Sequence, residues 1–296
     1  MSDLTVRPAT HDDYEAVAAF TEGTWPDREG TDYIPRVYHD WIDAPDSETF
    51  VLDVAEDVAG ICQGVHLTPH EAWAQGMRVN PDYRGQRVSP RLSKAVFEWA
   101  REQGATVCRN MVFSWNQAGL GQSRAVGFQP ATEFRWAEPE PDPDAEPDLS
   151  VTDDPTAAWS CFQSSRANRL LRGLTLDLDE TYAVAELTRE RLARAADDER
   201  VFAVTTDEGT RAMSYRTRTA TYDDETYAEY GVGAWADVES VRSLFAAIAR
   251  DAAALDAVGT RVLIPESVRH VSDVARARVG FSDDPDFVLA RDLTGD

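Results

Sequence analysis

Lysine is nearly absent from this chain. Of 29 basic residues only Lys94 is a lysine, and 53 acidic residues leave a net charge of −24. So acidic a chain repels phosphate backbones and anionic headgroups, and neither nucleic acid nor a membrane surface is expected as a partner. Arginine-based basicity beside abundant carboxylate resembles the composition of halophilic proteins. In concentrated salt the screening length falls to ~3 Å at 1 M and self-repulsion fades. The acidity then describes the solvent rather than the ligand. Cysteine is scarce too: Cys62, Cys108 and Cys161 lie far apart without CxxC spacing, which predicts neither a disulfide framework nor a zinc ribbon. His66 and His70 lack HExxH spacing and companion ligands, so no metal is expected. The longest apolar run, Leu244–Ala249, is far below a membrane span, and Met1–Thr10 has no signal-peptide core; a cytoplasmic protein is expected.

What is present is an ordinary globular composition, 43% hydrophobic over 296 residues, enough for about two domains at ~150 residues each. One segment breaks the pattern. Residues 138–155 read EPEPDPDAEPDLSVTDDP, proline and carboxylate with almost nothing to bury, and predict a solvated spacer between domains 1–137 and 156–296. Each half shows a hairpin, a glycine-interrupted strand, a long helix, a strand, a short helix, a Gly-Phe pair (Gly127-Phe128, Gly280-Phe281) and a last strand. This rhythm predicts an internal duplication, with closing strands at Thr132–Trp136 and Phe287–Ala290. Helices are expected near Thr156–Leu171 and Glu180–Ala196.

The segment Val79-Asn80-Pro81-Asp82-Tyr83-Arg84-Gly85-Gln86-Arg87-Val88-Ser89 carries the strongest chemical signal. It lies between the strand 72–79, which contains Gly76, and a helix whose start is read at Ser89-Pro90. Successive backbone N–H groups in such a turn, together with the positive end of the helix dipole, form an anion cradle. Arg84 and Arg87 add formal charge. Read alone, the same residues also suit a plain strand-to-helix turn.

Here the chain resembles the GCN5-related N-acetyltransferase (GNAT) superfamily, whose pyrophosphate loop has the form [QR]-x-x-G-x-[GA] after Val-x-Pro-x-x-Arg-Gly. Val79, Pro81, Tyr83, Arg84 and Gly85 match; Arg87 and Ser89 stand where small residues are usual. The resemblance implies an α/β fold of two GNAT-like domains, each a mixed, mostly antiparallel twisted sheet flanked by helices. It implies acetyl-CoA as co-substrate in a V-shaped gap between the fourth and fifth strands. The pyrophosphate would sit on Arg84, Gly85, Gln86, Arg87, Val88 and Ser89, and the pantetheine on Met77, Arg78 and Val79, with Asn116 lining its other side. The Val79 amide would stabilise the oxyanion. Glu71, where several family members keep a glutamate, and His66 and His70 beside it are the candidates for the base that deprotonates the amine. Each could equally be a polar hairpin residue.

Ser123 occupies the place of a frequent tyrosine acid, leaving water, Tyr83 or no acid at all. Trp25, Trp41, Trp73 and Trp115 belong to the core or line an acceptor pocket, the core reading weighing more. The second half has no Arg-Gly, and Asp237 and Glu239 occupy its helix start, so a degenerate copy without coenzyme is expected, serving as a pocket wall or a homodimer surface. The activity implied is direct acetyl transfer to a small-molecule or peptide amine in a ternary complex. The alternative is a non-catalytic acyl-CoA-binding or structural module.

Overall fold

The structure is a computed structural model and describes residues 4–24, 31–222 and 225–295. The first part of the chain runs β1 (Leu4–Pro8), α1 (Tyr14–Thr21), α2 (Ile34–Asp43), β2 (Ser47–Val54), β3 (Asp57–Thr68), β4 (Glu71–Val79), α3 (Val88–Glu102), β5 (Val107–Phe113) and α4 (Gln117–Ala125). It continues through β6 (Gln129–Glu138), β7 (Ser150–Thr152), α5 (Pro155–Ser164), α6 (Arg166–Leu171), β8 (Leu174–Leu176), β9 (Val184–Glu186) and α7 (Arg189–Asp197). It ends with β10 (Val201–Thr206), β11 (Gly209–Tyr222), β12 (Glu225–Tyr230), β13 (Ala234–Trp235), α8 (Val238–Ala254), β14 (Gly259–Pro265), α9 (Val268–Arg276), β15 (Gly280–Phe281) and β16 (Asp286–Asp292).

The chain forms two compact units, residues 1–112, 116–130 and 289–296, and residues 113–115 and 131–288. The expected boundaries at 137 and 156 need correction, because the last strands are exchanged. In the first unit the strand order is β1-β2-β3-β4-β5 followed by the end of the C-terminal strand β16, from Leu289 onward. The tail is anchored there: the Leu293 amide donates to the Thr106 carbonyl at 2.8 Å and Arg101 Nε to the Leu293 carbonyl at 3.0 Å. In the second unit the order is β6-β14-β12-β11-β10-β7, with Val262 opposite Ala137 and Ile264 opposite Arg135.

The proline-acid segment is not a free spacer either. Within the second unit the Asp142 amide donates to the Ala249 carbonyl, Thr260 Oγ1 donates to the Pro139 carbonyl at 2.6 Å, and β7 pairs with β10. Some of its backbone groups are thus taken up by α8 and the sheet. The helix expected over 180–196 is confined to α7, preceded by the small β8–β9 hairpin.

In each unit the described strands pair mostly antiparallel, with a parallel pair at the corresponding place, β4–β5 and β12–β14. The expected fold class and duplication hold. In the first unit α3 lies directly on β3. A Cβ at Gly60 would come within 2.7 Å of Val88, and one at Gly64 within 2.8 Å of Trp99, so only glycine allows that approach. In the second unit Val241, Leu244, Phe245 and Ile248 of α8 bury their apolar face against Tyr230, Val262 and Ile264.

Two buried titrating groups of the second unit oppose one another. Burial, helped by Arg269, holds the His270 imidazole down at about 4. The unfolded chain binds that proton below about 6.5, so stability present above that pH is lost as pH falls toward 4. Burial pushes the Asp286 carboxyl up to about 6, although the Trp136 indole donates to it at 3.1 Å. This contribution has the opposite sign, being present at acid pH and lost as pH rises from about 4 to about 6. His270→Gln is expected to remove an acid-side loss of about 3 kcal/mol, and Asp286→Asn to stabilise more at pH 7 than at pH 4. Urea midpoints against pH measure both; parallel profiles for variants and parent would contradict the assignment.

Candidate functional site

β4 and β5 are parallel neighbours for three residues only, Glu71 with Val107, Ala72 with Cys108 and Trp73 with Arg109. Beyond Trp73 the strands part. β4 then bulges: its register on β3 jumps from Gln75 opposite Gln63 to Arg78 opposite Ile61. Gly76 absorbs the extra residue at φ +66°, where a Cβ would also meet the Trp41 ring at 2.5 Å. Between the parted strands lies a slot of about 30 Å³. Met77 and Cys62 line it from the sheet, Phe97 from α3, Asn110 from β5, Gln122 from α4, and Phe128 follows that helix.

The slot's polar groups are amides and hydroxyls. Asn110 Nδ2 donates to Ser123 Oγ at 2.9 Å, while Asn110 Oδ1 is buried with no hydrogen-bond partner among the described residues. Such an acceptor is costly to leave unmade. Gln122 Nε2 donates to Ser93 Oγ at 3.2 Å. Burial pushes the Cys62 thiol up to about 12, which keeps it protonated and unreactive.

The glycine-containing loop opens at the end of β4. Asn80 caps the turn Pro81–Tyr83 by accepting the Asp82 amide at 3.1 Å, and the Tyr83 hydroxyl is taken up by Asp57 at 2.6 Å. Gly85 at φ +79° and Arg87 at φ +61° then turn the chain into α3. The helix starts at Val88, two residues earlier than Ser89 as cap implied, and its N-cap Arg87 makes no side-chain cap. Among the described residues nothing accepts from the amides of Gly85, Arg87, Val88 and Ser89. Arg84, Arg87 and Arg91 are exposed, and none has an ion-pair partner among the described residues. In a chain with a net charge of −24, three such guanidiniums beside open amides are a strong local exception.

The expected catalytic carboxylate lies elsewhere. Glu71 is buried at the closed end of the gap, where it accepts from the Arg109 guanidinium and from Thr68 Oγ1 at 3.0 Å. Eight residues of strand put it about 25 Å from Val79. His70 Nε2 approaches Glu71 at 4.0 Å, and His66 pairs with Ala72 on the same hairpin end. The structure therefore groups Glu71, His66 and His70 with one another and not with Met77–Val79.

Asn116 likewise does not line the slot. Its Oδ1 caps α4 by accepting the Gly119 amide at 2.9 Å. The asparagine in the slot is Asn110, which shares the inward face of β5 with Cys108 and Val112, an alternation visible in the sequence. The Arg78 side chain turns away from the loop, donating to Asp32 at 2.6 Å and to the Met77 carbonyl at 3.1 Å. Trp73 is core and Trp41 packs under Gly76, whereas Trp25 lies outside the described residues.

The second unit closes both features. After four ladder pairs between β12 and β14, the Gly233 amide still reaches the Leu263 carbonyl at 2.8 Å, so no gap opens at the equivalent place. Asp237 caps α8, accepting the Ser240 amide at 2.9 Å while holding Arg211 at 2.6 Å. The positive helix end that stays open in the first unit is filled here.

The sequence profile of the Acetyltransferase (GNAT) family matches residues 14–128. Residues 14–128 are thus similar to a GNAT acetyltransferase domain. Thialysine N-epsilon-acetyltransferase of Bos taurus is 33% identical over 92 residues, covering 28% of this chain and 54% of the relative. The chain thus spans about half the length of that curated relative. Among solved structures, a GCN5-related N-acetyltransferase from Sphaerobacter thermophilus superposes with a TM-score of 0.62 at 13% identity, covering 98% of this chain and 96% of its own. A tandem GNAT protein from the clavulanic acid biosynthesis pathway gives 0.58 at 13% identity, covering 99% and 100%. At that identity these likenesses concern fold, and the fold is two GNAT-like domains in one chain. No helix of the described residues is long and apolar enough to cross a membrane.

Glu71→Gln should destabilise by about 3–5 kcal/mol, because it breaks a buried ion pair by removing the carboxylate charge. Turnover per folded molecule should stay within about threefold. A loss of two orders of magnitude in kcat at unchanged stability would restore Glu71 to the chemistry.

Proposed function

We propose that the first unit is an acetyl-CoA-dependent N-acetyltransferase acting on a small primary amine, and that the second unit binds no coenzyme. The reading rests on one observation above others: the uncapped start of α3, with four unengaged amides and three unpartnered arginines, at the mouth of a gap between parallel strands. Amides and guanidiniums together suit a diphosphate better than a lone carboxylate. The arginines also exceed what the diphosphate alone requires, which fits a ligand carrying a further phosphate.

Acetyl-CoA supplies the thioester whose acetyl group passes to the amine. The residues fit it. Arg84 to Ser89 hold the diphosphate, and Met77 to Val79 face the pantetheine arm. Asn110 Oδ1, the unsatisfied acceptor in the slot, takes an amide N–H of that arm. The Val79 amide is the donor assigned to the thioester oxygen. Direct attack is favoured over an acyl-cysteine route, because burial pushes the Cys62 and Cys161 thiols up to about 12 and the Cys108 thiol further still.

Among the described residues the slot is lined by amides, hydroxyls and a protonated thiol, with no side chain able to take the proton of an ammonium. This favours an acceptor that arrives neutral or loses its proton to water. The same feature favours one second reading, a domain that binds acyl-CoA without turning it over. The Bos taurus relative is named for thialysine, a small amine and a sensible first acceptor.

Arg84→Glu should weaken coenzyme A binding by about a hundredfold, through loss of one charge-assisted contact and gain of a repulsion. Thiol release with amine acceptors in molar KCl should rise with pH up to each acceptor's own pKa, so that a less basic amine reaches its plateau at lower pH. Binding without thiol release would favour the non-catalytic reading. Unchanged affinity in Arg84→Glu would exclude the loop as the site.

A further inference from the structure

The second unit, closed to coenzyme, has a groove of its own. It encloses about 360 Å³, within the range of small-molecule sites, and lies among α8, the turn after α9 and the segment following β6. Four of its lining residues, Arg242, Phe245, Ala246 and Ala249, form a single stripe on α8 at helical spacing. That stripe runs about 10 Å along the helix axis.

Its two ends differ in charge. Arg242 Nη2 donates to the Arg276 carbonyl at 3.1 Å, which brings its guanidinium to the end of α9, beside Arg278. At the other end the Asp142 amide donates to the Ala249 carbonyl at 3.0 Å, so the chain carrying Glu140 and Asp142 crosses α8 there. Phe245, Ala246 and Ala249 between the ends are apolar.

Arg278 is the unusual residue. It follows the C-cap of α9 at φ +61°, with its amide on the Ala275 carbonyl and the Val279 amide on the Val274 carbonyl. Helix ends of this kind favour glycine. An arginine there, exposed and without an ion-pair partner among the described residues, is not placed by the packing. Glu138, which pairs with Gly280 two residues beyond Arg278, also lines the groove, and burial pushes its carboxyl up while Arg261 acts the other way.

A simple anion would meet the carboxylates of Glu138, Glu140 and Asp142, and a simple cation would meet the two guanidiniums. We propose that this groove binds a linear zwitterion, an amino acid whose ammonium and carboxylate are separated by an apolar chain. The carboxylate lies against Arg242 and Arg278, the ammonium against the acidic segment, and the chain along Phe245 and Ala246.

The minimal probe is 6-aminohexanoate, with hexanoate and hexylamine as one-ended controls, titrated into the full-length chain at fixed ionic strength. The zwitterion should bind one per chain and at least about tenfold more tightly than either control, since each lacks one charge-assisted contact. Arg278→Gly should lower that affinity about tenfold while leaving the melting temperature equal or higher, because glycine suits the backbone there. Its coenzyme A affinity should not change. Equal binding of the three probes, no saturation with the zwitterion up to tens of millimolar, or undiminished affinity in Arg278→Gly would each overturn the proposal.

Discussion

The first unit depends on where β4 and β5 stop pairing. Three ladder pairs and the buried ion pair of Glu71 with Arg109 hold the strands together at one end. The bulge at Gly76 turns β4 away at the other. Parallel strands in a sheet ordinarily satisfy one another's amides and carbonyls along their length. Here the partnership ends after Trp73, and the edges beyond it are left for another molecule. α3 is brought close by the glycines of β3, and its open N-terminus comes to the mouth of the same gap.

The two units show what that opening requires. They share strand order and a parallel pair at the same place, yet in the second unit the Gly233 amide keeps β12 and β14 joined and Asp237 closes the helix end. A capping carboxylate satisfies the groups a phosphate would otherwise engage, and repels the phosphate itself. One fold therefore stands in the chain twice, with its helix end free in one copy and self-satisfied in the other.

The loop from Val79 to Ser89, the hairpins, the paired long helices and the duplication were legible because each depends on local pattern: turn chemistry, alternation and capping residues. The exchange of the last strands was not. Alternation identifies 132–136 and 287–290 as strands but carries no label for the sheet they join, and that choice is made by tertiary pairing such as Val262 with Ala137. The proline-acid segment misled for a related reason. Its composition offers little to bury, but its backbone is taken up by Ala249 and Thr260, which composition cannot foresee. Glu71 is one of three candidate bases on the family resemblance, with a polar hairpin residue as the alternative; its burial beside Arg109 depends on a residue 38 positions away. Asn116, expected to line the pantetheine side, has its Oδ1 engaged as the cap of α4, while Asn110 could have been found from the inward alternation of β5.

The central claim is that one cradle in this chain is open and its counterpart is shut. Calorimetric titration of the full-length protein with coenzyme A tests it most directly. The account requires saturable binding of one coenzyme per chain that weakens as salt is raised. Two coenzymes per chain, or none at any salt concentration, would contradict it.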